Sequence, residues 1–270
     1  MDKMLDFFGL KKDPFPNGID DSDPPFSSAD LNQAMAAFRY TVQKKGISCI
    51  CGDVGKGVSY SAYQFKKSMD SSPCTVKYVK VFHISPRDFY REVCRVLDIM
   101  PIEKSRQSRI VAIQERADQF QNQGHPLVLI LDNAQNIPDL AFNDLPNLAT
   151  EDYGKSSRMS LILCGSKDLQ YRMCESSEPN WEQELLTHYI FRGLSKQETT
   201  SYVRHRIALA GGKDGLISED VFDNLYELSR NGYCRDINNI LREAMLIAFL
   251  NKRMVIDAEI VRAAAEHRSL

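Results

Sequence analysis

Ile47-Ser48-Cys49-Ile50-Cys51-Gly52-Asp53-Val54-Gly55-Lys56-Gly57-Val58-Ser59 is the stretch on which the fold turns. Its first five residues are apolar or small and read as a short buried strand. A glycine-rich turn follows, and then a helical pattern to about Met69. Strand, glycine turn and helix in that order make a phosphate cradle. The glycines let backbone N–H groups curl around an anion, and the helix N-terminus adds positive potential. Gly52 to Ser59 fits the pattern G-x-x-x-x-G-K-S/T everywhere except at the lysine, where Val58 stands. The nucleotide-binding positions predicted here are Gly52, Asp53, Val54, Gly55, Lys56, Gly57, Val58 and Ser59, with Tyr60 next in the helix. Ser59 is expected to offer its hydroxyl to Mg2+. Taken alone, the loop leaves open a strand-to-helix turn with no ligand.

Val58 removes the ammonium that bridges the β- and γ-phosphates. Losing a charge-assisted contact costs about 1.5–3 kcal/mol, so ATP or ADP binding is expected to be weakened without being abolished. Sliding the register to put Lys56 in the lysine slot would place Ile50 at the first glycine and Gly57 at the hydroxyl. Lys56 therefore belongs to the loop itself, from which its side chain has a different approach to a phosphate.

A second apolar run, Leu127-Val128-Leu129-Ile130-Leu131, leads into Asp132-Asn133-Ala134-Gln135-Asn136. A buried strand ending in Asp-Glu is the magnesium-plus-base arrangement of ATPases, in which the first acid assists the ion and the second polarises water. Asp132 keeps the first role, with Ser59, as a predicted Mg2+ position. Asn133 replaces the second acid and has no proton-accepting carboxylate at neutral pH. Loss of a general base lowers a rate by about 10²- to 10⁴-fold. The bland alternative is a strand ending in a turn, where Asp-Asn is common.

The rest of the chain organises around these two motifs. Residues 1–30, rich in Pro, Asp and Ser, read as an extended arm with aromatic anchors and no helix or strand. Residues 31–193 alternate helices and strands. They comprise a helix capped by Asp30 and running to about Lys45, strands at Ile47–Cys51, Val76–Phe82, Leu127–Leu131 and Leu161–Cys164, and helices over 86–97 and 103–123. Continuous apolar strands are buried on both faces, which predicts a parallel sheet flanked by helices, an α/β fold. Residues 194–270 lose the β signal. Ser195-x-x-Glu198 is a capping box opening a helix to Ala210, with three further helices at about 218–230, 234–251 and 257–267. A small all-α lid domain is expected there.

Composition sets wider limits. The 270 residues are 43% hydrophobic and 26% charged, with a formal net charge of −2, so no overall polycation marks the chain for nucleic acid. Residues 1–37 hold seven acids against three bases, whereas residues 38–118 hold fifteen bases against eight acids. That basic segment suits either phosphates or the solvated faces of several helices. The seven cysteines fall at unrelated intervals; Cys49 and Cys51 share one strand face but have no second pair beside them in sequence for zinc. An odd cysteine count and the lack of a signal sequence point to a reducing cytoplasm. No apolar run approaches the roughly 20 residues of a membrane span.

The sequence resembles the AAA+ ATPases of the ExeA-type group, which includes ATP-binding partners of transposases. Phe7-Phe8-Gly9-Leu10 with Pro14-Phe15 looks like the family's opening arm, Gly52 to Ser59 its Walker A loop, and Leu129 to Pro138 its Walker B segment. Leu163-Cys164-Gly165-Ser166 is similar to the sensor 1 strand end. Leu194 to Glu198 and Tyr202 to Arg206 are similar to motifs that follow it. Gly232-Tyr233-Cys234-Arg235-Asp236-Ile237-Asn238 places Arg235 at the sensor 2 position, a nucleotide contact. Where the family carries Gln-Arg before the next strand, a region of intersubunit arginines, this chain reads Thr187-His188-Tyr189-Ile190. His188 is not a constant cation.

With Val58, Asn133 and His188 as degenerate positions, the resemblance implies a hydrolysis-deficient pseudo-ATPase, with ATP or ADP and Mg2+ as weakened ligands. The partners implied are a second copy or an active AAA+ paralogue in a mixed oligomer, a transposase or integrase, and double-stranded DNA, without a membrane. The alternative is an active ATPase with a rearranged site built on Lys56 and an acid such as Asp53, driving transposition or a secretion-type assembly. The absence of a membrane span or an added domain weighs against the secretion reading.

Overall fold

The computed structural model describes residues 2–18, 23–100, 105–150, 157–176 and 179–267. In chain order the elements are α1 (Asp2–Phe8), α2 (Ala29–Lys44), β1 (Ile47–Cys51), α3 (Val58–Ser68), β2 (Thr75–Lys80), α4 (Pro86–Val96), α5 (Arg106–Asn122) and β3 (Leu127–Asp132). There follow a 3-10 turn (Ala134–Asn136), α6 (Asp139–Ala149), β4 (Ser160–Gly165), α7 (Lys167–Glu175), α8 (Trp181–Glu184) and β5 (Leu185–Ile190). Last come α9 (Lys196–Leu209), α10 (Glu219–Leu228), α11 (Cys234–Leu250) and α12 (Ala258–His267). The chain divides into two compact units. One is Leu31–Val54 with Val58–Phe191; the other is Met1–Asp30, Gly55–Gly57 and Arg192–Leu270.

The first unit is a five-stranded parallel sheet in the order β2-β3-β4-β1-β5. Its three central strands, β3, β4 and β1, are buried at every residue, which is why their sequences are runs and not alternations. Alternation still sorts their side chains between the two faces. Ile50, Val128, Ile130, Ile162 and Cys164 pack with α2 and α3 through Ala34, Phe38, Ala62 and Phe65. Leu129, Leu131, Leu161 and Leu163 pack on the other face with Phe89 of α4, Ile113 of α5 and Phe142 of α6. Each fully buried side chain of this size contributes about 1.5–3 kcal/mol.

The second unit is helical. Ser195 accepts from the Glu198 N–H at 3.2 Å, and the Glu198 carboxylate accepts from the Ser195 N–H at 2.9 Å, so both halves of the expected capping box form. Ile237, Ile240, Leu241, Ala244, Met245 and Ala248 make a helical stripe on α11 that packs against Val261 and Ala264 of α12.

The arm departs from its expectation. Asp2–Phe8 is a helix, and Phe8, Leu10 and Phe15 are buried in the core of the helical unit, with the Phe7 ring 5.4 Å from that of Phe249. Proline and aspartate density hid the Met4, Leu5, Phe7, Phe8 face, whose spacing suits one helical turn docked on other helices. Two boundaries also move. β2 ends at Lys80 instead of Phe82, which is exposed, and α5 begins at Arg106 after the Ser105 cap. Residues 103 and 104, where that helix was expected to start, lie outside the described residues, as do 1, 19–22 and 268–270 of the terminal segments.

Candidate functional site

The glycine loop leaves β1 with its first residue anchored: the Gly52 N–H donates to the Gly165 carbonyl at 3.1 Å, at the end of neighbouring β4. Gly52 is glycine for want of space, since a Cβ there would lie 2.7 Å from the Phe191 Cβ and 3.2 Å from the Val58 Cγ2. Gly55 and Gly57 are glycine for conformation, with φ of 104° and 107°. Val54 is exposed, and the Asp53 carboxylate pairs with Lys167 Nζ at 2.9 Å. Tyr60 lies one residue past Ser59 in α3 and is half-buried.

Val58 opens α3 and is only 7% exposed, packed with Phe38, Ile50, Ala62, Phe65 and Phe191. The side chain in the lysine slot is thus a core residue. Ser59, one residue on, is exposed, and its Oγ donates to Asp132 Oδ1 at 2.9 Å. Asp132 ends β3 and is 1% exposed. Its second oxygen, Oδ2, accepts from the Tyr78 hydroxyl at 2.6 Å. Burial first, and then this bond to a carboxylate, push the Tyr78 phenol above its ordinary range, so it stays a donor. A hydroxyl beside a buried carboxylate is an oxygen donor set that suits Mg2+, a hard ion that keeps several waters and phosphate oxygens of its own. Ser59 and Asp132 therefore fit the ion that a nucleotide would bring.

Asn133 has φ 59° and ψ 42°, the left-handed region. Among non-glycine residues Asn and Asp tolerate it best, because a short polar side chain bonds locally. The backbone at the second acid position thus suits Asn and penalises Glu. Gln135 follows, and its Oε1 accepts from the Ser166 N–H at 3.1 Å, tying the β3 end to the β4 end.

Within the helical unit, the Arg235 N–H donates to the Gly55 carbonyl at 3.1 Å. Lys56 Nζ stands 4.7 Å from the centroid of Tyr233, whose ring also carries the Arg230 guanidinium at 4.5 Å. The Arg235 side chain is exposed at the start of α11.

His188 does not lie ahead of a strand. Thr187 to Ile190 are all within β5, where His188 is in register with Cys49. His188 Nε2 is 3.5 Å from Cys51 Sγ. The cysteine pair that lacked partners in sequence therefore has a histidine beside it, because strand pairing joins segments about 137 residues apart.

Tyr78, Lys167 and Gln135 were not singled out from sequence. Tyr78 had one usable signal: in β2 it alternates with Val76 and pairs with Ile130, two residues before Asp132 on the same face. Lys167 and Gln135 had none.

A parallel sheet with a glycine loop after β1 and a buried acid at the end of β3 defines the AAA+ P-loop NTPase class. The AAA domain family matches residues 41–173, and the chain has the AAA+ P-loop fold. It is 24% identical over 269 residues to General secretion pathway protein A of Aeromonas hydrophila, covering 96% of this chain and 48% of that protein. It thus spans about half the length of this curated relative. Among solved structures it resembles Cdc6p of Pyrobaculum aerophilum (TM-score 0.75, 17% identity, 96% of this chain and 71% of that one). It also resembles the ORC2 protein of Aeropyrum pernix in its ADPNP–ADP complexes (TM-score 0.68, 17% identity, 95% of this chain and 71% of that one). Among the described residues no helix is long and apolar enough to cross a membrane.

Proposed function

We propose that this chain is a hydrolysis-deficient AAA+ module that retains a weakened site for Mg2+ with ATP or ADP and acts by binding partners. The observation that carries the reading is Val58: the side chain where the lysine belongs is buried in an apolar cluster. Asn133 in its left-handed conformation adds to it, since that backbone disfavours the catalytic glutamate. The binding side is supported by Ser59 and Asp132 at 2.9 Å and by the glycine conformations, and by a structural neighbour solved with ADPNP and ADP. Arg235 is assigned as a nucleotide contact and His188 as the altered intersubunit position on the resemblance alone. We place the arm at 1–30, the α/β core at 31–193 and the lid at 194–270. The module works in the cytoplasm, in an oligomer with itself or an active paralogue, alongside a transposase- or integrase-type protein on double-stranded DNA.

The rearranged-site alternative draws little support, because Lys56 lies over the Tyr233 ring and Asp53 is paired with Lys167. A secretion-type assembly role has one observation in its favour, the name of the curated relative. The absence of a membrane span no longer weighs against it, because the chain matches only 48% of that relative.

Purified protein is expected to show no significant ATP turnover, with or without DNA. Turnover of about one per second, within the ordinary enzyme range and abolished by Lys56→Ala, would overturn the reading. Thermal-shift titration tests the binding half. A ligand at about 100 times its Kd stabilises the folded state by about 2.7 kcal/mol, so a flat response to ATP and ADP with Mg2+ leaves a purely structural module.

A further inference from the structure

The geometry points to a binding site for one Zn2+ ion formed by Cys49, Cys51 and His188, immediately ahead of the glycine loop. The three residues lie on one face of the sheet for a topological reason. Cys49 and Cys51 are two apart on β1, and the parallel register sets His188 of edge strand β5 beside Cys49. One ligand atom from each lies within 4.8 Å of the others, and His188 Nε2 is 3.5 Å from Cys51 Sγ. Around a tetrahedral Zn2+, with bonds of about 2.3 Å to sulfur and about 2.0–2.1 Å to nitrogen, neighbouring ligand atoms sit about 3.5–3.8 Å apart. The cluster needs side-chain adjustments of about an ångström or less to close on the ion.

The donor set argues for the metal class. Two sulfurs and an imidazole are softer than the oxygen ligands that Mg2+ and Ca2+ take, and Cys2His with an open fourth position is a known zinc geometry. Two thiolates neutralise the dication, so the buried site holds no net charge. Cys49 and Cys51 are fully buried while His188 is exposed on the sheet edge, which supplies the entry path. Binding displaces one proton from each thiol that ligates and leaves His188 neutral, coordinating through Nε2. Occupied, the site would clasp β5 to β1 at Cys51, the residue that precedes Gly52. It is independent of whether the loop holds a nucleotide.

The test uses the full chain, reduced and stripped with a chelator, without nucleotide, titrated with Co2+ as the spectroscopic probe and then with Zn2+ in competition. The expected result is one equivalent of Co2+ with a thiolate-to-metal charge-transfer band and tetrahedral d–d absorption, both erased by Zn2+. Cys51→Ser and His188→Asn are each expected to weaken binding by more than the roughly ten- to hundredfold loss of an outer-shell partner. Cys174→Ser removes an exposed thiol outside the cluster and is expected to leave the titration unchanged. His188→Asn alters an exposed side chain, so it reports even where a cysteine variant fails to fold. Absence of the charge-transfer band, an unchanged Co2+ affinity in His188→Asn, or loss of the band in Cys174→Ser overturns the site.

Discussion

Tyr78 and Ser59 divide the Asp132 carboxylate between them, the phenol on Oδ2 at 2.6 Å and the hydroxyl on Oδ1 at 2.9 Å. The carboxylate is 1% exposed, so water does not replace a donor that is removed. A hydrogen bond to a charged group contributes about 1.5–3 kcal/mol. Tyr78→Phe is expected to lower unfolding stability by that amount, read from urea denaturation without nucleotide. A loss below about 0.5 kcal/mol, the ordinary scale of a surface change, would mean that Asp132 finds another donor.

Restoring the lysine is expected to cost stability. Val58→Lys puts an ammonium where Phe38, Phe65 and Phe191 now enclose an isopropyl group. Overpacking a core site of this kind costs about 1–3 kcal/mol. The urea midpoint should fall while ATP turnover stays undetectable. If stability is unchanged, the lysine has reached solvent or the loop, and the apolar cluster does not depend on Val58.

Asn133 offers a cleaner test, because the question there is backbone conformation. Asn133→Gly is expected to be nearly neutral, and Asn133→Glu to cost about 1–2 kcal/mol, the left-handed penalty for a residue with an ordinary side chain. Hydrolysis is expected to return only in the double variant Val58→Lys with Asn133→Glu, and in neither single variant. Equal urea midpoints for Asn133→Gly and Asn133→Glu would remove the conformational argument.

The Glu198 carboxylate accepts from the N–H groups of Ala29 at 2.7 Å and Ser195 at 2.9 Å. Burial pushes its pKa up, but these two bonds and the Ser195 hydroxyl together hold it below the ordinary carboxylate range. A lowered folded pKa means stabilisation that is present above the unfolded value, about 4.3, and is lost as pH falls through the folded value. Glu198→Gln is therefore expected to be less stable than the natural chain at about pH 7, by about 0.5–2 kcal/mol on the scale of a helix cap. The gap should narrow as pH drops below about 4, beneath the unfolded value. A gap that widens on acidification reverses the sign and sinks the argument.

The sheet, the two motifs and the capping box were legible because each rests on local pattern: apolar runs, glycines at fixed offsets, Ser195 with Glu198 three residues on. The strand order and Thr187–Ile190 as part of β5 were not legible, since β5 alternates between half-buried and exposed residues and lacks an apolar run. Asp132 could be read as the acid that ends a buried strand, yet its bond to Tyr78 depends on how β2 pairs with β3. The Cys49, Cys51 and His188 cluster likewise depends on pairing between strands far apart in the chain. The helix at Asp2–Phe8 was lost to composition, because its face is apolar only toward partners near the other end of the sequence.

That last feature has a consequence for how the chain comes off the ribosome. Phe8, Leu10 and Phe15 are translated well before Val203, Leu241 and Val261, with which they share a core. The α/β unit has nearly all its strands and helices between Leu31 and Phe191, so it can consolidate while synthesis continues, as domains generally fold as units. The Asp2–Phe8 segment must wait, its aromatic side chains uncovered, until α9 to α12 emerge. During that interval the nascent chain presents a sticky apolar segment, and an early-binding chaperone would find its target there.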